Sequence, residues 1–215
     1  MPATVALIDY GSGNLRSAAK ALMRAAETSG TRHEVVITAD PNRVAEAERI
    51  VLPGVGAFAD CMRGLSAIPG MLSALEESVL RRGTAFLGIC VGMQLLAEWG
   101  REHEDCRGLG WIPGEVLRIA PLEPALKVPH MGWNALSILQ PHKLFEGMTD
   151  GTDVYFVHSY YLKPRDPLQI LATTDYGGSI PAVVGRDNIA GTQFHPEKSQ
   201  AEGLCFLERF LNWRP

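Results

Sequence analysis

The chain has 215 residues, long enough for one α/β domain with a sizeable core and short for two. Hydrophobic residues make up 46% and charged residues 20%, and the net charge of −4 gives no reason to expect nucleic acid or an anionic membrane as partner. No apolar run approaches the roughly 20 residues that a membrane helix needs, and the opening Met1-Pro2-Ala3-Thr4-Val5-Ala6 lacks a basic stretch ahead of an apolar one, so no signal peptide is expected.

Residues 4–9 form an apolar run suited to a buried strand, and Tyr10-Gly11-Ser12-Gly13-Asn14 is a turn. Over 15–29, Leu15, Ala18, Ala19, Leu22, Ala25 and Ala26 recur at helical spacing, and Gly30 closes the helix. Gly11 and Gly13 could open a dinucleotide fingerprint, but its third glycine position holds Arg16, so a glycine-rich turn is the simpler reading. Residues 33–38 predict a second strand, 41–48 a short helical link, and 49–52 a third strand. That strand runs into Pro53-Gly54-Val55-Gly56-Ala57-Phe58, which is either a plain turn or a source of backbone N–H groups for an oxyanion. Residues 71–82 predict a helix stopped by Gly83.

Thr84-Ala85-Phe86-Leu87-Gly88-Ile89 is the next buried strand. Cys90 follows it, and apolar residues at helical spacing then predict a helix that ends at Gly100. Gly88 and Gly92 flank the cysteine two residues to either side, the spacing of a nucleophile elbow with cysteine in place of serine. The turn would lift the sulfur above the sheet, and the helix N-terminus beneath it would favour a thiolate. Alternating strands and helices predict a flavodoxin-like α/β fold, a mostly parallel central sheet with helices on both faces. In such sheets sites gather beyond the carboxyl ends of the strands.

The second half breaks into short strand-like runs at 115–119, 133–139, 154–162, 169–174, 182–185 and 189–194, which predict an antiparallel extension of the sheet. Residues 202–213 predict a closing amphipathic helix. No linker divides the chain, so residues 1–215 are expected to form one domain. The four cysteines, Cys61, Cys90, Cys106 and Cys205, are widely spaced and form no C-x-x-C pair, which predicts a reduced, cytoplasmic protein without disulfides or a metal site.

Trp133, in Pro129-His130-Met131-Gly132-Trp133-Asn134, is either a core residue or a partner anchor. Near the carboxyl end stands Phe194-His195-Pro196-Glu197-Lys198-Ser199. In extended backbone residues i and i+2 share a side, so His195 and Glu197 would project together. A thiol has a reference pKa of about 8.5, and an imidazole that takes its proton removes that limit. Cys90, His195 and Glu197 thus compose a nucleophile, a base and a carboxylate that orients the base. Five other histidines, His33, His103, His130, His142 and His158, compete for the base role, but none has a carboxylate two residues on in a proline-stiffened segment. The N–H of Val91 and one from the Gly54-Val55-Gly56 loop could form an oxyanion site. The chemistry is acyl transfer through a thioester.

Gly88-Ile89-Cys90-Val91-Gly92-Met93-Gln94 and Phe194-His195-Pro196-Glu197 together resemble the paired signatures of the class I, triad-type glutamine amidotransferases. The stretches 8–15, 52–58, 129–134 and 155–160 resemble, within that family, the glutaminase subunits of imidazole glycerol phosphate synthases. The resemblance implies hydrolysis of L-glutamine, with Gly54, Gln94, Ser159 and Tyr160 holding the substrate and a backbone turn at Val55 completing the oxyanion site. It implies a heterodimer with a (β/α)8-barrel cyclase, hydrolase and lyase activities in histidine biosynthesis, no cofactor, and Trp133 and Lys198 at the partner face. Cys61, Cys106 and Cys205 match no motif. A glutaminase serving another synthase and a non-catalytic flavodoxin-like regulatory module are the alternatives.

Overall fold

The computed structural model describes residues 3–30 and 32–215; Met1 and Pro2, part of the stretch searched for a leader, and Thr31 lie outside them. Strand–helix units build the first half: β1 (Ala3–Ile8), α1 (Leu15–Thr28), β2 (His33–Thr38), α2 (Pro41–Glu46), β3 (Arg49–Gly54), α3 (Phe58–Ala67), α4 (Met71–Leu75) and β4 (Ala85–Cys90). Four consecutive residues of β1, Val5 to Ile8, are buried, which alternating side chains permit only when both faces of the sheet are covered. Asp40 caps α2, its carboxylate accepting from the Asn42 N–H at 2.9 Å.

Helix α3 was not expected. Phe58, Cys61 and Leu65 are its buried residues at helical spacing, but the stretch lies among glycines and prolines that read as loop. The helix expected over 71–82 forms, though its second half, Glu76–Arg81, opens into a π-helical turn ahead of Gly83.

After β4 the expectation of a long helix is wrong. Helix α5 (Val91–Gln94) is a single turn, and Gly100 lies in β5 (Trp99–Arg101) rather than at a helix end. The carbonyls that would have propagated the helix are taken from outside: Leu95 accepts from the Leu109 N–H, Leu96 from Ile112 and Ala97 from Gly110, at 2.8–3.0 Å. Gly100 is required because a Cβ there would sit 2.4 Å from the Phe58 ring.

The remaining elements are β6 (Asp105–Arg107), β7 (Gly114–Arg118), β8 (His130–Ala135), β9 (Ser137–Ile138), β10 (Asp153–His158), β11 (Tyr160–Pro164), β12 (Ile170–Asp175), β13 (Ser179–Arg186), β14 (Ile189–Thr192) and α6 (Gln200–Asn212). The main sheet has the order β2-β1-β3-β4-β14-β13-β12-β9. Its first five strands are parallel and its last three antiparallel. The single strand expected over 154–162 is two. β10 pairs with β8, and after Ser159 the chain changes partner so that β11 pairs with β7. The run 133–139 divides similarly, at buried Leu136.

Candidate active site

β4, β3 and β14 lie side by side at the centre of the parallel sheet, and their carboxyl ends deliver the reactive groups. Gly54 and Cys90 are in register at the ends of β3 and β4. Cys90 has φ +54°, a conformation that costs a residue with a Cβ about 1–2 kcal/mol. The flanking glycines are what permit it. A Cβ on Gly88 would lie 2.5 Å from the Gly92 carbonyl oxygen, and one on Gly92 would lie 1.8 Å from that of Leu52. The elbow is therefore a property of close backbone packing against β3. The one-turn helix after it carries little macrodipole, so the helix end expected to favour the thiolate is reduced to the local N–H groups.

His195 is brought to Cys90 differently from the extended alternation expected. β14 ends at Thr192, and Pro196–Lys198 is a 3-10 turn with Pro196 at its start. That turn folds Glu197 back so that Oε1 lies 2.8 Å from His195 Nδ1. Nε2 is thereby left for the Cys90 side, where the sulfur acts on the charge of the ring. Burial works to lower the His195 pKa, but hydrogen bonds to Cys90 and Glu197, together with their charges, outweigh it and raise the pKa well above the ordinary imidazole value. The arrangement favours the protonated ring. Glu197 Oε2 is buried with no hydrogen-bond partner.

The turn is stitched at its back. The Ser199 hydroxyl donates to the His195 carbonyl at 2.7 Å and accepts from the Tyr155 N–H at 3.0 Å, while the His195 N–H donates to the Tyr155 carbonyl. Phe194 is fully buried edge-on to Phe156 and Phe206, and burial of such a ring stabilises by about 1.5–3 kcal/mol.

A cavity of ≈ 350 Å³ opens over the sulfur, its wall including Val55, Cys90, Val91, Gln94, Ser159, Tyr160, His195 and Lys198. Gly54 lies beneath it, packed against the elbow. Val91 opens α5, where its N–H has no acceptor within the helix. The Val55 N–H points elsewhere: it donates to Ser12 Oγ at 3.1 Å, and the same hydroxyl donates to the Val55 carbonyl at 2.7 Å. The Cys61 thiol also donates to that carbonyl, at 3.3 Å. Trp133 is 48% exposed and Met131 66%, on the outer side of β8; Trp133 meets the Tyr155 ring edge-on, and Lys198 Nζ lies 5.6 Å from the centre of that ring.

Ser12, Glu102, Gln193 and Ser199 had no assigned role in the sequence. Gln193 Nε2 donates to Cys90 Sγ at 3.6 Å. Glu102 lies in the cavity wall and accepts from the Phe58 N–H at the start of α3. No local pattern marks Glu102 or Gln193, because each acts across the fold; Ser12 and Ser199 lie in stretches the sequence does single out, but their partners Val55 and Tyr155 are distant. Another cavity, of ≈ 420 Å³, opens at the amino ends of the strands around Arg32, His33, Arg49 and Arg214. Among the described residues no three His, Cys, Asp or Glu side chains group to hold a metal ion.

A cysteine on a strand–helix elbow, with a histidine–glutamate pair from the turn after the neighbouring strand, is an arrangement that can transfer acyl groups through a thioester. The glutamine amidotransferase class-I profile matches residues 6–212. Two solved structures share the fold: a glutamine amidotransferase with TM-score 0.69 and 18% identity (96% of this chain, 97% of that one), and one from Thermotoga maritima with TM-score 0.61 and 18% identity (99% and 84%). The chain is 59% identical over 212 residues to the imidazole glycerol phosphate synthase subunit HisH of Rhodospirillum rubrum, covering 98% of this chain and 99% of that one. It is 56% identical over 214 residues to the HisH subunit of Brucella melitensis, with the same coverage. The chain belongs to the class-I glutamine amidotransferase family, in the branch of the HisH subunits.

Proposed function

We propose that the chain is the glutaminase subunit of imidazole glycerol phosphate synthase, hydrolysing L-glutamine at Cys90 and passing ammonia to a cyclase subunit in histidine biosynthesis. The observation that carries the reading is the Cys90–His195–Glu197 line opening into a cavity. The thiolate attacks the side-chain amide carbon of glutamine, forming a C–S bond and an oxyanion. His195 gives its proton to the amide nitrogen as the C–N bond breaks and ammonia leaves. A water that yields a proton to His195 then attacks the thioester carbon, the C–S bond breaks, and glutamate departs. Glu197 holds the ring for both transfers.

The Val91 N–H is one oxyanion donor, and that of Val55 becomes the second once its peptide turns away from Ser12. Gly54, Gln94, Ser159 and Tyr160 position the substrate, and the Glu102 carboxylate suits its α-ammonium group. The exposed Met131–Trp133 stretch with Lys198 is the face for the partner, a (β/α)8 barrel in a heterodimer. The lyase step belongs to that partner. Ammonia free in water is mostly ammonium at neutral pH and no nucleophile, which is a chemical motive for direct delivery. We place the whole chain in one domain, supported by its continuous apolar core, and the protein in the cytoplasm; no described helix is long and apolar enough to cross a membrane.

Cys90→Ala, purified with its partner, is expected to release no glutamate from glutamine while ammonia-dependent cyclisation survives. Continued glutamine hydrolysis would remove Cys90 as the nucleophile. Co-purification with a synthase of another pathway would reassign the partner.

A further inference from the structure

Two buried histidines that the catalytic line does not use face one another, His158 in the wall of the cavity and His130 behind it. His130 opens β8 and His158 closes β10, and the two are directly paired across the antiparallel ribbon. His130 Nδ1 lies 3.0 Å from His158 Nε2. His158 Nδ1 lies 2.9 Å from the Tyr160 carbonyl oxygen, and His130 Nε2 lies 3.2 Å from Asn134 Nδ2. The His130 ring is stacked between Tyr176 and Phe156, at centroid distances of 4.0 and 4.7 Å.

The two ends of this chain of bonds fix the direction of every bond in it. The Tyr160 carbonyl can only accept, so His158 carries its proton on Nδ1 and accepts at Nε2. His130 must therefore donate from Nδ1 and accept at Nε2. The hydrogen it accepts comes from Asn134, whose orientation is set independently: Asn134 Oδ1 takes the Ala135 N–H at 2.9 Å, and Nδ2 donates also to the Asp175 carbonyl at 2.8 Å. Both ends agree on the same protonation, each ring neutral with its hydrogen on Nδ1. A second proton on either ring would set one N–H against another.

The relay terminates on an atom of the cavity wall. The Tyr160 carbonyl accepts a second hydrogen bond, from Gln94 Nε2 at 2.9 Å, and the other hydrogen of that amide goes to Gln193 Oε1 at 3.0 Å. With both Nε2 hydrogens taken, Gln94 has its carbonyl oxygen to offer a ligand. A Gln94 amide rotated by half a turn would offer a donor instead, and would face the Tyr160 oxygen with an oxygen.

We propose that His130 and His158 are positioning residues for glutamine binding, a directed hydrogen-bond relay that holds the Tyr160 carbonyl and so locks the Gln94 amide with its oxygen toward the cavity. The inference rests on the glutaminase reading and extends it to two residues that touch none of the reacting atoms.

The test compares His158→Phe with His158→Asn in the chain purified with its partner. The Asn Nδ2 can take the place of the histidine Nδ1 as donor to Tyr160. His158→Phe is expected to raise the KM for glutamine about tenfold with kcat within about twofold, as loss of one binding hydrogen bond would. His158→Asn is expected to recover most of that loss. An unchanged KM, a fall in kcat alone, or an Asn variant as impaired as the Phe variant would overturn the relay. Should His158→Phe not fold, long-range nitrogen–proton NMR of the wild-type chain decides: both rings should be neutral with the proton on Nδ1, and a ring protonated on Nε2 overturns the proposal. A wild-type complex that does not hydrolyse glutamine would refute the glutaminase reading instead, and the NMR result would still stand by itself.

Discussion

His195 depends on Cys90 and Glu197 for its state. The ring's raised pKa comes from the sulfur and Glu197 working against burial, so it stabilises the fold at neutral pH, and that contribution is lost as pH rises through the raised value. In Cys90→Ala the largest favourable partner is gone and burial remains. The His195 pKa should then fall markedly, read from its ring shifts in an NMR titration; an unchanged value would assign the whole effect to Glu197. Ser12 sits at the other reactive peptide. Its hydroxyl bonds both sides of Val55, and each such bond contributes about 1 kcal/mol net. Ser12→Ala should therefore ease the turn of that peptide and raise glutamate release by the unstimulated complex several-fold. Basal release equal to wild type would show that Ser12 does not restrain it.

Among the elements, the two-stranded ribbon of β8 and β10 joins most of the functional parts. Its outer side carries Met131 and Trp133, its inner side His130 and His158, and its Tyr155 backbone is bonded to His195 and Ser199. Burial pushes His130 down to about 4 and His158 to about 3. An unfolded chain would protonate both near the ordinary 6.5. Above that value neither state holds the proton. As pH falls below it the unfolded state binds protons first, and stability declines until the folded pKa values are reached. The Tm should therefore drop between pH 6.5 and about 4, and less steeply in His130→Asn. Equal slopes in the two proteins would exclude His130 as a source.

At the scale of the whole molecule, the active site opens on the same side as the exposed ribbon, and Lys198, in the triad's own turn, reaches the Tyr155 ring beside Trp133. The proposed docking face and the proposed catalytic turn thus share backbone. A large aromatic at the centre of an interface typically contributes about 2 kcal/mol or more, near thirtyfold in affinity. Trp133→Ala should weaken binding of the cyclase subunit by about that factor in calorimetric titration while the variant's own Tm stays close to wild type. Undiminished affinity would move the docking face elsewhere.

The elbow at Cys90 was legible because it is written in adjacent residues: Gly88 and Gly92 stand where any Cβ would strike neighbouring backbone. His195 and Glu197 were legible for a like reason, since a tight local turn joins them, although a 3-10 turn and not extended alternation makes the pairing. The central strands followed from their apolar runs. What the residues did not disclose is where hydrogen-bonding capacity goes once the chain is folded. Helix α5 stops after one turn because residues 109–112 take the carbonyls of Leu95, Leu96 and Ala97 that would have continued it. Ser12 reaches Val55 across 43 positions, His130 meets His158 across 28, and Gln193 meets Cys90 across 103. Local pattern determines which short segments can bend to hold a reactive atom; only tertiary packing decides which distant donors and acceptors those atoms find, because a hydrogen bond has direction and short reach and no periodicity in the sequence records either.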